Sequence, residues 1–212
     1  MIRVLVGDFG QDLTFKTKLQ QQIAIANPRL EDNAYSAIGV LAWQGHLDEA
    51  LGILKHMSAA RYWDHWPAFF VGFAEMHFNG DGAEAAKYIQ QAALRREGDE
   101  RTSLQFLASK WSARAEDPGV AIALLQHLIA NSANEELKAH MRLREQGLIQ
   151  LVELRRAAKG YFEKYGKNIK SFQDLVEEGL IERLPAHPFS DHRYRVDDDG
   201  RPVIQVLEVK KP

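Results

Sequence analysis

The sequence has no cysteine. That absence removes disulfides, thiolate metal sites, a cysteine nucleophile and covalent haem attachment together. It leaves the compartment open, because a chain without thiols is stable on either side of a membrane. No run of about 18 apolar residues occurs, so no helical bilayer span is expected. The opening Met1–Gly7 is too short for a signal peptide's charged, apolar and cleavage regions, so any anchor of the natural protein would precede this chain. An excess of either charge is missing as well: 27 basic residues face 29 acidic ones, for a net charge of −2. Without a concentrated positive face, counterion release cannot drive nucleic-acid binding, and no nucleic-acid partner is expected. Gly-x-Ser-x-Gly and a phosphate-binding glycine loop are both absent, so neither an enzyme nor a cofactor is expected. The triplet Asp8-Phe9-Gly10 has neither a glycine-rich loop nor a catalytic loop to make it a magnesium turn, and reads as chance.

The 45% of hydrophobic residues supports a true core, and a repeat organises it. Gly39, Gly72 and Ala108 recur at spacings of 33 and 36, and Ala50, Ala86 and Ala121 at 36 and 35. Met57, Ala93 and Leu128 each fall seven residues after those alanines. A period in the middle thirties, with small residues where helices cross, predicts stacked helix pairs. Three pairs are expected: 33–57, then a pair opening at Tyr62-Trp63-Asp64-His65-Trp66-Pro67, then 101–115 with 120–130. Gln44-Gly45-His46, Asn79-Gly80-Asp81-Gly82 and Asp117-Pro118-Gly119 supply the turns within pairs.

With Tyr35-x-x-Ile38-Gly39, Gly45-His46-Leu47-Asp48-Glu49-Ala50, Leu54 and Met57, the chain resembles the tetratricopeptide-repeat (TPR) family. The resemblance implies an all-α superhelical array of antiparallel helix pairs whose first helices line a concave surface. The lysine–asparagine clamp with which some members grip a C-terminal carboxylate is not reproduced, so chaperone-tail binding is not expected.

Before the repeats, Asp12–Ala26 reads as a helix with Leu13, Leu19, Ile23 and Ala26 on one face and Gln20–Gln22 off it. Asn27-Pro28 ends it. After the repeats, Asn134 caps a long segment with Glu135 and Glu136 in its first turn, running to Tyr165-Gly166 and divisible at Gly147. Part of it is expected to cover the last apolar face of the array. Ser171 and Asp174 start a short helix that Gly179 closes. Arg193–Val196 and Pro202–Val206 flank Asp197–Gly200 as a β-hairpin, which must lie on the helical body because isolated hairpins are marginal. These divisions predict a helical array with its cap over 1–159 and a helix-plus-hairpin piece over 160–212.

Tyr161-Phe162-x-x-Tyr165-Gly166, Leu175-Val176-x-x-Gly179, Leu184-Pro185, Pro188-Phe189 and Tyr194 resemble a closing segment of bacterial TPR proteins. A similar pattern occurs near the ends of type II secretion pseudopilins. His187 stands where that pattern has aspartate, and Ser190-Asp191 replaces its glycines, so no calcium role is carried over.

One local feature stands out: Trp66, Phe69, Phe73 and Met76 form an aromatic and thioether stripe at helical spacing. Such a stripe is either inter-repeat core or a binding floor. Carried over from the family, the groove positions are Asn33, Ser36, Val40, Trp43 and Gln44 on the first leading helix. Trp66, Phe69, Phe73, Met76 and His77 follow on the second, and Gln105, Ser109 and Ser112 on the third. This reading makes the chain a scaffold or adaptor that binds a peptide or helix of another protein. The resemblance implies a bacterial protein at the cell envelope, on the periplasmic side as the soluble part of a possibly anchored protein; the alternative is cytoplasmic. Two other readings are a structural part of a pilus or secretion assembly and a histidine-based metal or small-molecule binder. The eight histidines, His65, His77, His187 and His192 among them, lack paired-ligand spacing, so no metal is expected. Partner identity and oligomeric state are left open by the sequence.

Overall fold

The computed structural model describes residues 13–114 and 118–207, so Asp8-Phe9-Gly10, Asp12 and Asp117 lie outside the described residues. The described residues are mostly helical and end in a two-stranded antiparallel hairpin. Packing divides the chain into two compact units, 1–116 and 117–212.

The first unit is a succession of helices, each packed on the next. Helix α1 (Leu13–Ala26) packs against α3 (Leu47–Ala60). Its buried face is Thr17, Gln20, Ile23 and Ala24, with Ala26 exposed. Gln20 therefore belongs to the packed face it was expected to avoid. On that side the main-chain carbonyl of Gln20 accepts from Asn33 Nδ2 at 3.0 Å.

Helix α2 begins at Glu31–Ser36, widens into a π-helical turn over Ala37–Leu41 and tightens over Ala42–Gln44. Helix α4 (Trp66–Ala74) widens in the same way over Glu75–Asn79. Each ends on a left-handed glycine, Gly45 or Gly80, a conformation that costs glycine least. Helix α5 (Gly82–Ala93) is capped by Asp81, whose side chain accepts from the Ala83 and Glu84 amides. Helix α6 (Gly98–Ser112) packs on α5. The periodic Ala50, Ala86 and Ala108, with Met57 and Ala93, are all buried.

The periodic glycines divide in use. A Cβ on Gly72 would sit 2.9 Å from the Ala85 carbonyl oxygen and from Ile89, so α4 and α5 meet backbone to side chain there. Gly39, expected to serve the same purpose, is exposed and has nothing within reach of a Cβ. The tightest approach is Gly82, read from sequence as a turn residue, where a Cβ would meet the Trp111 carbonyl.

The second unit opens with α7 (Gly119–Asn131) packed on α8 (Glu135–Tyr165). The two helices expected as the third pair, α6 and α7, therefore fall in different units. Helix α8 runs unbroken through Gly147, and the expected boundary at 159/160 lies inside it. Gly147 is a docking point instead of a break: a Cβ there would meet the His187 ring at 2.8 Å. Tyr194 donates to the Gly147 carbonyl at 2.9 Å and contacts Gln150 Oε1 at 2.7 Å. Ser171 and Asp174 form the expected capping box of α9 (Phe172–Glu177), and Gly179 follows it with positive φ. Strands β1 (His192–Val196) and β2 (Pro202–Val206) pair with His192 opposite Val206 and Val196 opposite Pro202. Their turn is held by Asp197 Oδ1, which accepts from the Asp199 and Arg201 amides. Leu151, Leu154, Tyr161, Ile169, Phe172, Leu175 and Tyr194 form the core beneath the hairpin.

Candidate functional site

The aromatic residues of α2 and α4 meet across the first unit in two ring clusters, one at each end of a shared face. At its head the Tyr35 ring stands edge-on to Phe70 at 5.3 Å, and Phe70 stacks on Trp66 at 5.5 Å. Trp66 also meets Phe69 edge-on at 5.6 Å. At its foot Trp43 lies 5.0 Å from both His77 and Phe78, and His77 stacks on Phe73 at 5.3 Å. On α4 the members Trp66, Phe70, Phe73 and His77 follow a four–three–four spacing, which keeps them on one side of a helix. On α2, Tyr35 and Trp43 stand two helical turns apart with the exposed Gly39 between them. The face is also wet. Trp43 is 60% and Trp66 42% exposed, whereas Phe70, Phe73 and Phe78 are half-buried and rest on the core of Leu41, Leu54, Met57 and Val71. The stripe is thus core on its inner side and surface on its outer side.

Not every residue assigned to a groove reaches it. Trp43, Gln44, Trp66 and His77 are exposed, and Val40, Phe69, Phe73 and Met76 are half-buried. Asn33 is 0% exposed, held by its bond to Gln20, and Ser36 is buried beside it. Gln105, Ser109 and Ser112 are buried too, with the Ser109 hydroxyl donating to the Phe106 carbonyl at 2.7 Å. The expected fringe of amides and hydroxyls is therefore closed to a partner. Small polar groups can pack between helices where they satisfy backbone groups, as Asn33 and Ser109 do. Tyr35, Phe70 and Phe78 were not among the groove positions expected from sequence. Phe70 carried a signal, since it lies four residues after Trp66 on the same helical side.

Beneath the head of the face lies a network built on a buried arginine. Arg61 is 4% exposed; it pairs with Asp64 at 2.6 Å and Glu31 at 3.0 Å, and donates to the Arg29 carbonyl. Arg95, at the end of α5, donates to the Asp64 carbonyl at 2.7 Å and the Ser58 carbonyl at 3.0 Å. Arg96 Nε donates to His65 Nδ1 at 2.9 Å, while His65 Nε2 lies 3.5 Å from Glu100. The segment 61–66 between the two helix pairs is thereby fixed from both sides. Burial and the neighbouring Arg96 charge hold His65 below the ordinary imidazole range. With Nδ1 accepting from Arg96, the neutral ring carries its proton on Nε2. Arginines are mostly exposed in folded proteins, so residue type gave no sign of this network.

A small cleft opens between network and rings, lined by Glu31, Ala34, Tyr35, Arg61, Asp64, Trp66, Pro67 and Phe70, with a volume of about 40 Å³. Helices α2 and α4 with their terminal turns, 31–44 and 66–79, contain Glu31, Asp32 and Glu75 but no lysine or arginine. Glu75 is buried and paired with Lys55 at 3.0 Å. The exposed carboxylates on these two helices are Glu31 and Asp32.

The histidines do not converge on an ion. His65 is buried beside Arg96 and His77 stacks on Phe73. His187 and His192 stack on each other at 5.0 Å, with His192 Nδ1 2.7 Å from Asp191. Among the described residues no three acidic or imidazole side chains are grouped to hold a metal. No helix among them is long and apolar enough to cross a membrane. No family model matches the chain, and neither curated proteins nor solved structures give a match.

Proposed function

We propose that the first unit is a TPR-like interaction module whose aromatic face grips a peptide or helix of another protein. One observation carries the reading: Trp43 and Trp66 stay 60% and 42% exposed on α2 and α4, each set among half-buried rings. Exposed indoles cost solvation free energy unless covered, and tryptophan is the residue most enriched at binding hot spots. Support for the repeat arrangement comes from the burial of the periodic alanines and from α2 and α4 lying side by side with matching π-helical ends. As a scaffold of this kind the protein works at the bacterial cell envelope, an assignment that rests on the sequence resemblance.

The test is site-specific photo-crosslinking in cells, with a benzophenone amino acid placed at position 43 or, as control, at the exposed Lys87 on α5. A discrete protein adduct at position 43, absent at 87 and lost on Trp66→Ala, is expected. Adducts of equal yield at both positions, or none at 43, would overturn the proposal.

A further inference from the structure

We infer that the cleft at the head of the aromatic face receives the cationic tip of a lysine or arginine side chain carried by the partner segment. This inference rests on the interaction reading above and names the partner's chemistry.

Size comes first. A water-sized group needs roughly 10–15 Å³ of such space. The cleft's 40 Å³ therefore admits an ammonium or guanidinium head, and falls far below the ~300–1,000 Å³ of cofactor and drug sites. Charge is the second constraint. Asp64 already accepts from Arg61 and from the Trp66 amide, so Glu31 is the carboxylate of the lining left for a second cation. Arg61 engages Oε1 of Glu31, yet that side chain remains 68% exposed and available to a second cation. Third, the walls are π-faces. Tyr35, Trp66 and Phe70 present ring quadrupoles that attract cations, and the aliphatic stem of lysine or arginine packs on such rings. Fourth, α2 and α4 bear no basic residue, so the face repels anionic segments and anionic lipid surfaces and attracts a basic chain. Length decides between a free amine and a polypeptide. Tyr35 and Trp43 are eight residues apart, about 12 Å along the helix axis. That exceeds one side chain, so a basic residue at the head leaves the foot for an apolar neighbour on the same segment.

The experiment pans a random heptapeptide display library against the full chain, then measures synthetic copies of retained peptides by fluorescence anisotropy. Retained peptides are expected to pair a lysine or arginine with an apolar residue. Replacing that lysine with norleucine should weaken binding on the order of tenfold. Glu31→Gln should weaken the parent peptide similarly and leave the norleucine peptide nearly unaffected, because the two changes remove one interaction. Circular dichroism of Glu31→Gln should be unchanged, since Arg61 keeps Asp64. Peptides that lose binding on Trp43→Ala but lack a basic residue, or ignore Glu31→Gln, overturn this inference and leave the interaction reading standing. Peptides whose binding is indifferent to Trp43→Ala and Trp66→Ala overturn both.

Discussion

Gly39 and Gly72 occupy equivalent positions in the repeat pattern, and the structure assigns them opposite responses to the same substitution. Gly72→Ala adds a methyl group 2.9 Å from the Ala85 carbonyl oxygen and from two carbons of Ile89, which is itself fully buried. The carbonyl belongs to helix backbone and cannot swing aside, so α4 and α5 must part by a few tenths of an ångström. Overpacking of this kind costs about 1–3 kcal/mol. Alanine's better helix propensity returns about 1 kcal/mol, leaving a net loss of about 1 kcal/mol. Gly39→Ala adds its methyl to open solvent, so only the propensity acts and stability rises by about 0.5–1 kcal/mol. The two variants should therefore differ by about 2 kcal/mol with opposite signs. Urea unfolding followed by tryptophan fluorescence is the assay. All four tryptophans, Trp43, Trp63, Trp66 and Trp111, lie in the first unit and report on it alone. With a slope of about 2 kcal/mol per molar urea, the midpoints should separate by about 1 M. If Gly72→Ala raises the midpoint as much as Gly39→Ala does, α4 and α5 do not meet as described.

Arg61→Ala should destabilise the first unit by about 3 kcal/mol, because Asp64 and the Arg29 carbonyl lose a buried charged donor; a urea midpoint unchanged from wild type would refute the network. His65 is held below its ordinary value of about 6.5, so the unfolded chain takes up a proton there before the native one does. Stability of the first unit should be full above pH 6.5 and decline as pH falls toward 5, with His65→Gln flattening that slope; an equal slope in the variant would count against the assignment. Tyr194→Phe removes a buried hydroxyl bonded to the Gly147 carbonyl and Gln150, at a cost of about 1–2 kcal/mol. Amide exchange across β1 and β2 should quicken accordingly, and unaltered protection would show that the hairpin is held by its apolar contacts alone.

Much of the local structure was legible because it depends on short spans of chain. The helix after Asn134, the capping box at Ser171 and Asp174 and the 197–200 turn follow from side chains bonding to backbone nearby, and the Gly45 and Gly80 stops from glycine's freedom to turn left-handed. Burial of Ala50, Ala86 and Ala108 was legible for a similar reason, since a repeating small residue marks the rotation of a helix face. The candidate site was legible only by half. Trp66 and Phe73 stood out as large rings at helical spacing and Trp43 and His77 came from the family resemblance, whereas Asn33, Gln105, Ser109 and Ser112 carried no mark of being buried. Their fate depends on whether a neighbouring helix offers a hydrogen-bond partner, as Gln20 does for Asn33.

The sequence by itself determined where α8 and α9 begin and where α2 and α4 stop and turn, because those choices are settled within a few residues. Tertiary structure alone decided that Gly72 is a crossing and Gly39 an open gap, that Gly147 receives the His187 ring, and that Arg61 lies beneath the aromatic face. Each of these depends on the distance between atoms far apart along the chain. Spacing within one helix fixes direction but not what stands opposite.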